Sequence, residues 1–293
     1  MSAANAVLRR RARRRRIAIE AGSAALAAVI CVWSLLPIYN MVLVALDPAD
    51  GNVEFNGNLW PWAPSLNSFV RVVSGADGVF EEFWQEFGNS LFIGVATMAL
   101  TVLIGSLTAF AIGRLRLRHG ALLSNAALLT YLIPSSFLAI AFHRTMQLYG
   151  FADNLWAVIA AQVAFATPYA ILVLQQNAKL LPLELDEAAR VDGASAMQIY
   201  WRIYVPLLAP ALAAVGTFAL LLAWNDYLYQ YLLLSSSENT TVAIGIAEYL
   251  DNDEEPWNDL MAAAILYALP PIVIFYGLRR YMAAGLTLGA LKG

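Results

Sequence analysis

The chain has 293 residues, of which 60% are hydrophobic and only 13% charged. A soluble globular domain carries about 45–50% apolar and about 25% charged residues, so one soluble core is excluded, and the apolar excess is gathered in runs of about 20 residues or more, the length that crosses a roughly 30 Å hydrocarbon layer as helix. The net charge of -3 hides a segregation of signs by loop, and the single cysteine, Cys31, excludes an intramolecular disulfide and a cysteine-based metal site.

The pattern predicts an all-α, polytopic membrane protein with six spans, at about 17–46, 88–113, 121–142, 154–178, 207–234 and 259–278. An arm, residues 1–16, precedes the first span and contains RRRARRRR (9–16). The apolar run after it far exceeds the about 7–15 residues of a signal-peptide core, so it reads as a retained signal anchor whose arm touches anionic lipid. The loop 47–87 is rich in Pro, Gly and Trp, and its Leu59–Trp62 stretch fits an interfacial aromatic anchor. Pro134 and Pro168 mark candidate bends in the third and fourth spans. The loop 235–258 holds an apolar stretch, TVAIGIAEYL, which predicts re-entry toward the membrane or a partner surface.

With six spans, 16 of the 18 basic residues fall on one side, and only Arg71 and Arg144 on the other. The positive-inside rule then places both termini, and the 179–206 loop, in the cytoplasm. Acidic residues collect in the opposite loops, including the DNDEE cluster at 251–255.

The 179–206 loop carries most of the information. Pro182 suits a helix first turn, and Glu184, Asp186 and Glu187 follow near the positive end of its dipole. Leu185, Ala188, Ala189 and Asp192 recur at helical spacing and give one small, smooth side. Gly193 ends this helix. A second helix, Ala194 to Tyr204, returns toward the membrane and is predicted to stop at Pro206.

Glu187-Ala188-Ala189, then Gly193 after three residues, then Ile203-Tyr204-Val205-Pro206 after nine, resemble the E-A-A…G…I-x-L-P loop of permease subunits of ATP-binding-cassette importers. Val205 stands where Leu is usual. AWNDYLY (223–229) is similar to the fifth-span signature of carbohydrate permeases, and RRYMAAGLTLGALKG (279–293) to the end of the smaller maltose-type permease subunit. The resemblance runs from about residue 20 to the end and leaves out the Arg arm and the 251–255 cluster. It implies the type I importer permease fold: six transmembrane helices and a cytoplasmic coupling helix. It assigns contact with an ATP-hydrolysing subunit to Glu187, Ala188, Ala189, Gly193, Ala194, Met197, Ile203 and Pro206. It also implies a second permease subunit, a dimer of ATPase subunits that hold ATP and Mg, an extracytoplasmic solute-binding protein, a carbohydrate-type solute and a bacterial inner-membrane location. No cofactor in this chain and no nucleic acid partner are expected.

Read as residues alone, Glu187 is equally a solvated helix acid worth about 0–1 kcal/mol. Asp226 lies within the fifth predicted span, where a carboxylate marks a functional site by default. With Trp224, Asn225, Tyr227 and Gln230 it supplies stacking faces and hydrogen-bond groups suited to sugar hydroxyls; a helix-packing cluster is the ordinary alternative. Tyr131, Ser135, Ser136 and Gln162 are weaker pathway candidates. His119 and His143 are isolated.

Absences bound the chemistry. The only lysines, Lys179 and Lys292, do not follow glycine, so a nucleotide-cradling P-loop is absent. No HExxH, GxSxG or Cys/His cluster is present, so no enzyme activity is expected. An ion-gradient transporter is the alternative reading. It needs ionisable residues in the spans, and only Asp226, with Glu20 near a span end, qualifies.

Overall fold

A peptide group in hydrocarbon has no water to bond, so an apolar run of membrane length satisfies its backbone internally by forming helix. The computed structural model describes residues 3–48, 60, 63–76, 80–115, 117–250 and 256–290. Among these no strand is present, and the helices are α1 (Ala3–Ala45), α2 (Asn67–Ser74), α3 (Phe83–Arg114), α4 (Gly120–Leu128), α5 (Ser135–Leu148), α6 (Leu155–Ala178), α7 (Glu184–Val191), α8 (Ala196–Leu207), α9 (Ala209–Trp224), α10 (Leu228–Leu233), α11 (Val242–Leu250) and α12 (Trp257–Ala290). The 251–255 cluster, and all of Leu59–Trp62 except Trp60, lie outside the described residues.

Four of these helices contain stretches long and apolar enough to cross a membrane: Arg15–Ala45, Phe83–Arg114, Leu155–Ala178 and Trp257–Tyr281. Six result if each of two bent pairs counts as one span. In the first pair, Ser124–Leu132 meets α5 at 103°. The cause is local. Pro134 lacks an N–H and crowds the residue before it, and Ile133 is accordingly extended, at φ -96° and ψ 123°. Pro168, in contrast, lies within α6 without ending it. The second pair, α8 and α9, meets at 80°.

The interior is built on α3 and α6, with α9 laid against both. Small residues permit this closeness, which dispersion then rewards. A Cβ added at Gly105 would stand 2.8 Å from the Ala170 Cβ. Ala109, Ala170, Leu174, Ala211 and Val215 fill one half of the seam, and Ile93, Val158, Ile159 and Ala223 the other. Most of α1, in contrast, is exposed; it packs against α12, and Ala45 at its end joins a cluster with Val72, Phe83, Val242, Ala262 and Ala263.

At this acidic end, polar pairs fix the loops. Asp259, fully buried, accepts from Arg71 Nη2 at 2.8 Å, with Arg71 Nε at 3.1 Å from both its oxygens. The Asn89 amide donates to the carbonyls of Glu238 and Thr240 at 2.9 and 2.8 Å. The apolar stretch 241–250 is not left open. It forms α11, whose Val242, Ile244 and Gly245 are buried, and Tyr249 stacks on Phe80 at 4.7 Å. Here the partner surface is the chain's own α3 and α12.

Asp153 joins two further turns. Its Oδ1 accepts from the amides of Ser235 at 2.9 Å and Ser236 at 3.1 Å. Burial pushes this carboxyl up, but the bonds from Ser235, Ser236 and Asn239 outweigh it and hold it below its ordinary value of 3.8.

Two outcomes follow from this packing. Gly105→Val should force α3 from α6 and lower thermal stability in detergent by roughly 1–3 kcal/mol. Gly88→Val on the same helix, where an added Cβ meets nothing within 4 Å, should leave it nearly unchanged. Since the Asp153 carboxyl is depressed in the fold, its contribution is present above pH 3.8 and lost as pH falls through the lower folded value. Hydrogen exchange at the Ser235 and Ser236 amides should accelerate in that acid window beyond the intrinsic rate, and Asp153→Asn should abolish the transition.

Candidate functional site: the 179–206 hairpin and the broken fifth helix

α7 opens with Glu184, Asp186 and Glu187 in its first turn, where the exposed amides favour negative charge. It closes on Gly193, whose φ of +81° is a left-handed conformation that a side chain disfavours. Across this closure the Gly193 amide donates to the Arg190 carbonyl at 3.0 Å and the Ala194 amide to the Ala189 carbonyl at 2.9 Å. Ala194 is thus spent on ending the first helix. The second begins later than the sequence predicts, at Ala196, because Ser195 is its cap: Ser195 Oγ accepts from the Gln198 amide at 3.3 Å, and Gln198 Oε1 from the Ser195 amide at 2.7 Å.

α8 also does not stop at Pro206. It widens into a π turn over Tyr200–Tyr204 and continues to Leu207. The wider turn takes up the register mismatch ahead of a residue with no N–H to give. The chain then turns at Leu208, whose amide donates to the Tyr204 carbonyl at 3.0 Å.

The eight residues that the resemblance assigns to contact with an ATP-hydrolysing subunit divide by face. Glu187, Ala188, Gly193, Met197 and Pro206 are exposed. Ala189, Ala194 and Ile203 are half-buried and pack on a core of Phe110, Ala178, Ile199, Tyr200, Tyr204 and Leu208. A groove of about 390 Å³ runs between α7 and α8, lined in part by Ala189, Gly193, Ala194, Arg202 and Ile203. Val191, 88% exposed, and Leu185 add an apolar rim. Glu187 thus stands among exposed apolar and small residues.

The hairpin is fastened to the spans by groups that sequence reasoning missed. Arg114, the last residue of α3, is buried; its Nη2 donates to the carbonyls of Ala178 at 3.2 Å and Leu181 at 3.1 Å, and its Nε lies 3.4 Å from Asp186 Oδ2. Ser106 Oγ and Tyr200 Oη share a buried bond of 2.7 Å, and the Phe110 ring meets Tyr200 and Tyr204 edge-on. In the sequence, Arg114 reads only as one more basic residue of a loop, and Asp186 as one more acid of a first turn.

At the other candidate site, the expected fifth span breaks. α9 ends at Trp224, Asn225–Tyr227 turn away, and α10 follows. Trp224 is buried and stacked on Tyr267 at 4.8 Å, and the Tyr267 hydroxyl donates to its carbonyl at 2.6 Å. Gln230 is also buried: its Oε1 accepts from Thr241 Oγ1 at 2.5 Å, and its Nε2 donates to the carbonyls of Ala223 and Asp226. These two hold the break from behind. Asn225 and Tyr227 are exposed, and Asp226 is half-buried with one oxygen accepting from the Tyr229 amide at 3.1 Å. Tyr229, not singled out in the sequence, reaches across to donate to the Ser135 carbonyl at 2.6 Å. The Tyr131 hydroxyl donates to the Phe165 carbonyl at 2.5 Å, and Gln162 is buried. The broken fifth span and the start of α5 are therefore brought together, with Ser135 and Ser136 exposed at that start.

Residues 101–287 match the family described as the binding-protein-dependent transport system inner membrane component. The chain is 30% identical over 267 residues to the inner membrane ABC transporter permease protein YcjP of Escherichia coli K12, covering 91% of this chain and 94% of that one. It is 30% identical over 272 residues to the trehalose transport system permease protein SugB of Mycobacterium tuberculosis, covering 92% and 97%. Among solved structures, a chain of a bacterial ABC transporter involved in import of the acidic polysaccharide alginate shares the fold at a TM-score of 0.72 and 22% identity, covering 92% of this chain and 97% of that one. The chain belongs to the inner membrane components of binding-protein-dependent transport systems.

Proposed function

We propose that this chain is one membrane-spanning subunit of an importer for a carbohydrate-type solute, powered by ATP hydrolysed on separate subunits. The observation that carries this reading is the hairpin. Its motif residues present an exposed, partly apolar face, and its other side is anchored by buried bonds to the ends of α3 and α6. A surface held that firmly to the spans is a handle: a force applied to it moves helices.

The spans are six, the third bent at Pro134 and the fifth running from α9 through α10, and the basic arm, the hairpin and the C-terminal end lie on the cytoplasmic side. An ATPase dimer seats on α7, chiefly on Glu187, Ala188, Gly193 and Met197, with Ala189, Ala194, Ile203 and Pro206 shaping the groove beside it. Its closure rocks this chain against a second permease. A solute-binding protein delivers from the opposite side, where 47–87 and 235–258 lie. The solute passes the break at Asn225, Asp226 and Tyr227, with Tyr131 and Ser135 nearby and Trp224 and Gln230 supporting them. The carbohydrate class is favoured by the trehalose system and by the other relatives, which include arabinooligosaccharide and maltodextrin permeases. Hydroxyl-rich solutes suit the tyrosine, amide and carboxylate groups there.

A tagged chain recovered from its native membrane in mild detergent should bring with it a P-loop ATPase and a second permease; a chain that runs alone even after cross-linking would send the search to ion-gradient transport. In the recovered complex, Glu187→Lys and Gly193→Val should each reduce solute uptake by roughly tenfold, the scale of one interface anchor, while the chain remains folded in the membrane. Full uptake in both variants would remove the role given to the hairpin.

A further inference from the structure

Three elements meet at Arg114. It ends α3, its Nη2 holds the carbonyls of Ala178 and Leu181 where α6 runs out, and its Nε faces the Asp186 carboxylate of α7 at 3.4 Å. Arg114 and Asp186 are both buried, each 8% exposed. Between α6 and α7 the chain crosses only a short turn, Lys179–Leu183. Without the guanidinium, α7 would be held through α8, which the Ser106–Tyr200 bond fastens to α3, and otherwise only by that turn and by the apolar contacts of Leu181 and Ala189. Such contacts are non-directional and let surfaces slide.

The junction also has unused capacity. Arg114 Nε is buried and makes no hydrogen bond, despite its nearness to Asp186. The Tyr204 hydroxyl, buried next to the same two charges, has no hydrogen-bond partner either. Buried donors left unmade cost free energy, so an arrangement that satisfies them is favoured whenever the geometry allows it. The Asp186 carboxylate, 3.4 Å from Arg114 Nε, is the acceptor that stands nearest to this unused donor.

We propose that Arg114, Asp186 and Tyr204 form a two-position joint that couples movement of the α7–α8 hairpin to α3 and α6, with Arg114 and Asp186 as positioning residues for transport. The proposal rests on the importer reading above. When the hairpin is driven inward, Asp186 closes on Arg114 Nε and the Tyr204 hydroxyl, and α3, α6 and α7 then move as one body. When the joint is slack, the hairpin tilts on its turn and the spans stay behind. ATP hydrolysis and solute movement are then no longer proportional.

The readout is the ratio of solute transported to ATP hydrolysed, measured on the same purified, membrane-reconstituted complex, which a loss in the amount of assembled protein does not alter. Tyr204→Phe removes only a hydroxyl that bonds to nothing here and keeps the resting fold, whereas Asp186→Asn leaves Arg114 its two carbonyls but gives up the ion pair and lowers resting stability. Each should lower the ratio by roughly tenfold, the scale of coupling carried by a single network position, with thermal stability of the resting complex nearly unchanged for Tyr204→Phe. Asp186→Glu, which retains the charge, should restore most of the ratio. A wild-type ratio in Asp186→Asn or in Tyr204→Phe overturns the joint while leaving the importer reading intact. A wild-type chain that brings down no ATPase overturns both.

Discussion

A guanidinium removed from water must be answered by acceptors, and Arg114 is answered by three: two carbonyls freed where α6 ends, and one carboxylate in the first turn of α7. Helix ends leave carbonyls without intrahelical donors, so the end of α6 is a natural place for a cation. That single side chain ties the end of α3 to the end of α6, to the turn after it and to the first turn of α7. Removing one partner of such a buried pair leaves a charge uncompensated, at about 3–5 kcal/mol. The hairpin consequently inherits the orientation of the spans.

The middle of the bundle follows a different rule. Between α3, α6 and α9 the contacts are made by Ala, Gly, Val and Ile, with Gly105 against Ala170 as the tightest approach. In a lipid environment apolar side chains gain little by leaving lipid for protein, so close packing of small residues and its dispersion energy hold helices together. Rigidity resides in this seam. The departures from regular helix sit at its margins: the 103° break at Pro134, the 80° turn at Leu208 and the interruption at Asn225–Tyr227. Each is locally explained, by a proline, by a π turn ahead of a proline, or by side chains such as Gln230 that bond the loosened backbone. Irregular backbone at membrane depth is tolerated where protein buries it or a cavity wets it.

Much of this was legible in the sequence, for physical reasons. Apolar runs and segregated basic residues are one-dimensional signals. So is the E-A-A…G spacing, because it encodes a helix, its left-handed stop and a return. Gly193 at φ +81° is the residue that the stop demands. The start of α8 at Ala196 is legible too, since Ser195 and Gln198 have capping-box spacing. Pro206 misled because its cost is set by the turn before it, and π geometry leaves no mark in composition. Least legible were the partners across the chain. Trp224 and Gln230 look like ligands for a hydroxyl array, yet Tyr267 and Thr241, 43 and 11 residues away, occupy them. Arg114 and Asp186 are 72 positions apart by number, and neither carries a local pattern that distinguishes it from its charged neighbours.

The distribution of charge along the bundle axis gives these details a common logic. The buried ion pairs lie apart from the small-residue seam, Arg71–Asp259 at one end with Asn89 nearby, and Arg114–Asp186 at the other with Ser106–Tyr200. Directional bonds fix angles, whereas small-residue seams fix only distance. A bundle pinned by direction at its ends and by distance in its middle can rotate as a body without losing its interior. The break in the fifth span is held to α5 by the Tyr229–Ser135 bond. α3 and α6, which run from the Arg114 end through the bundle, are helices with no break of their own.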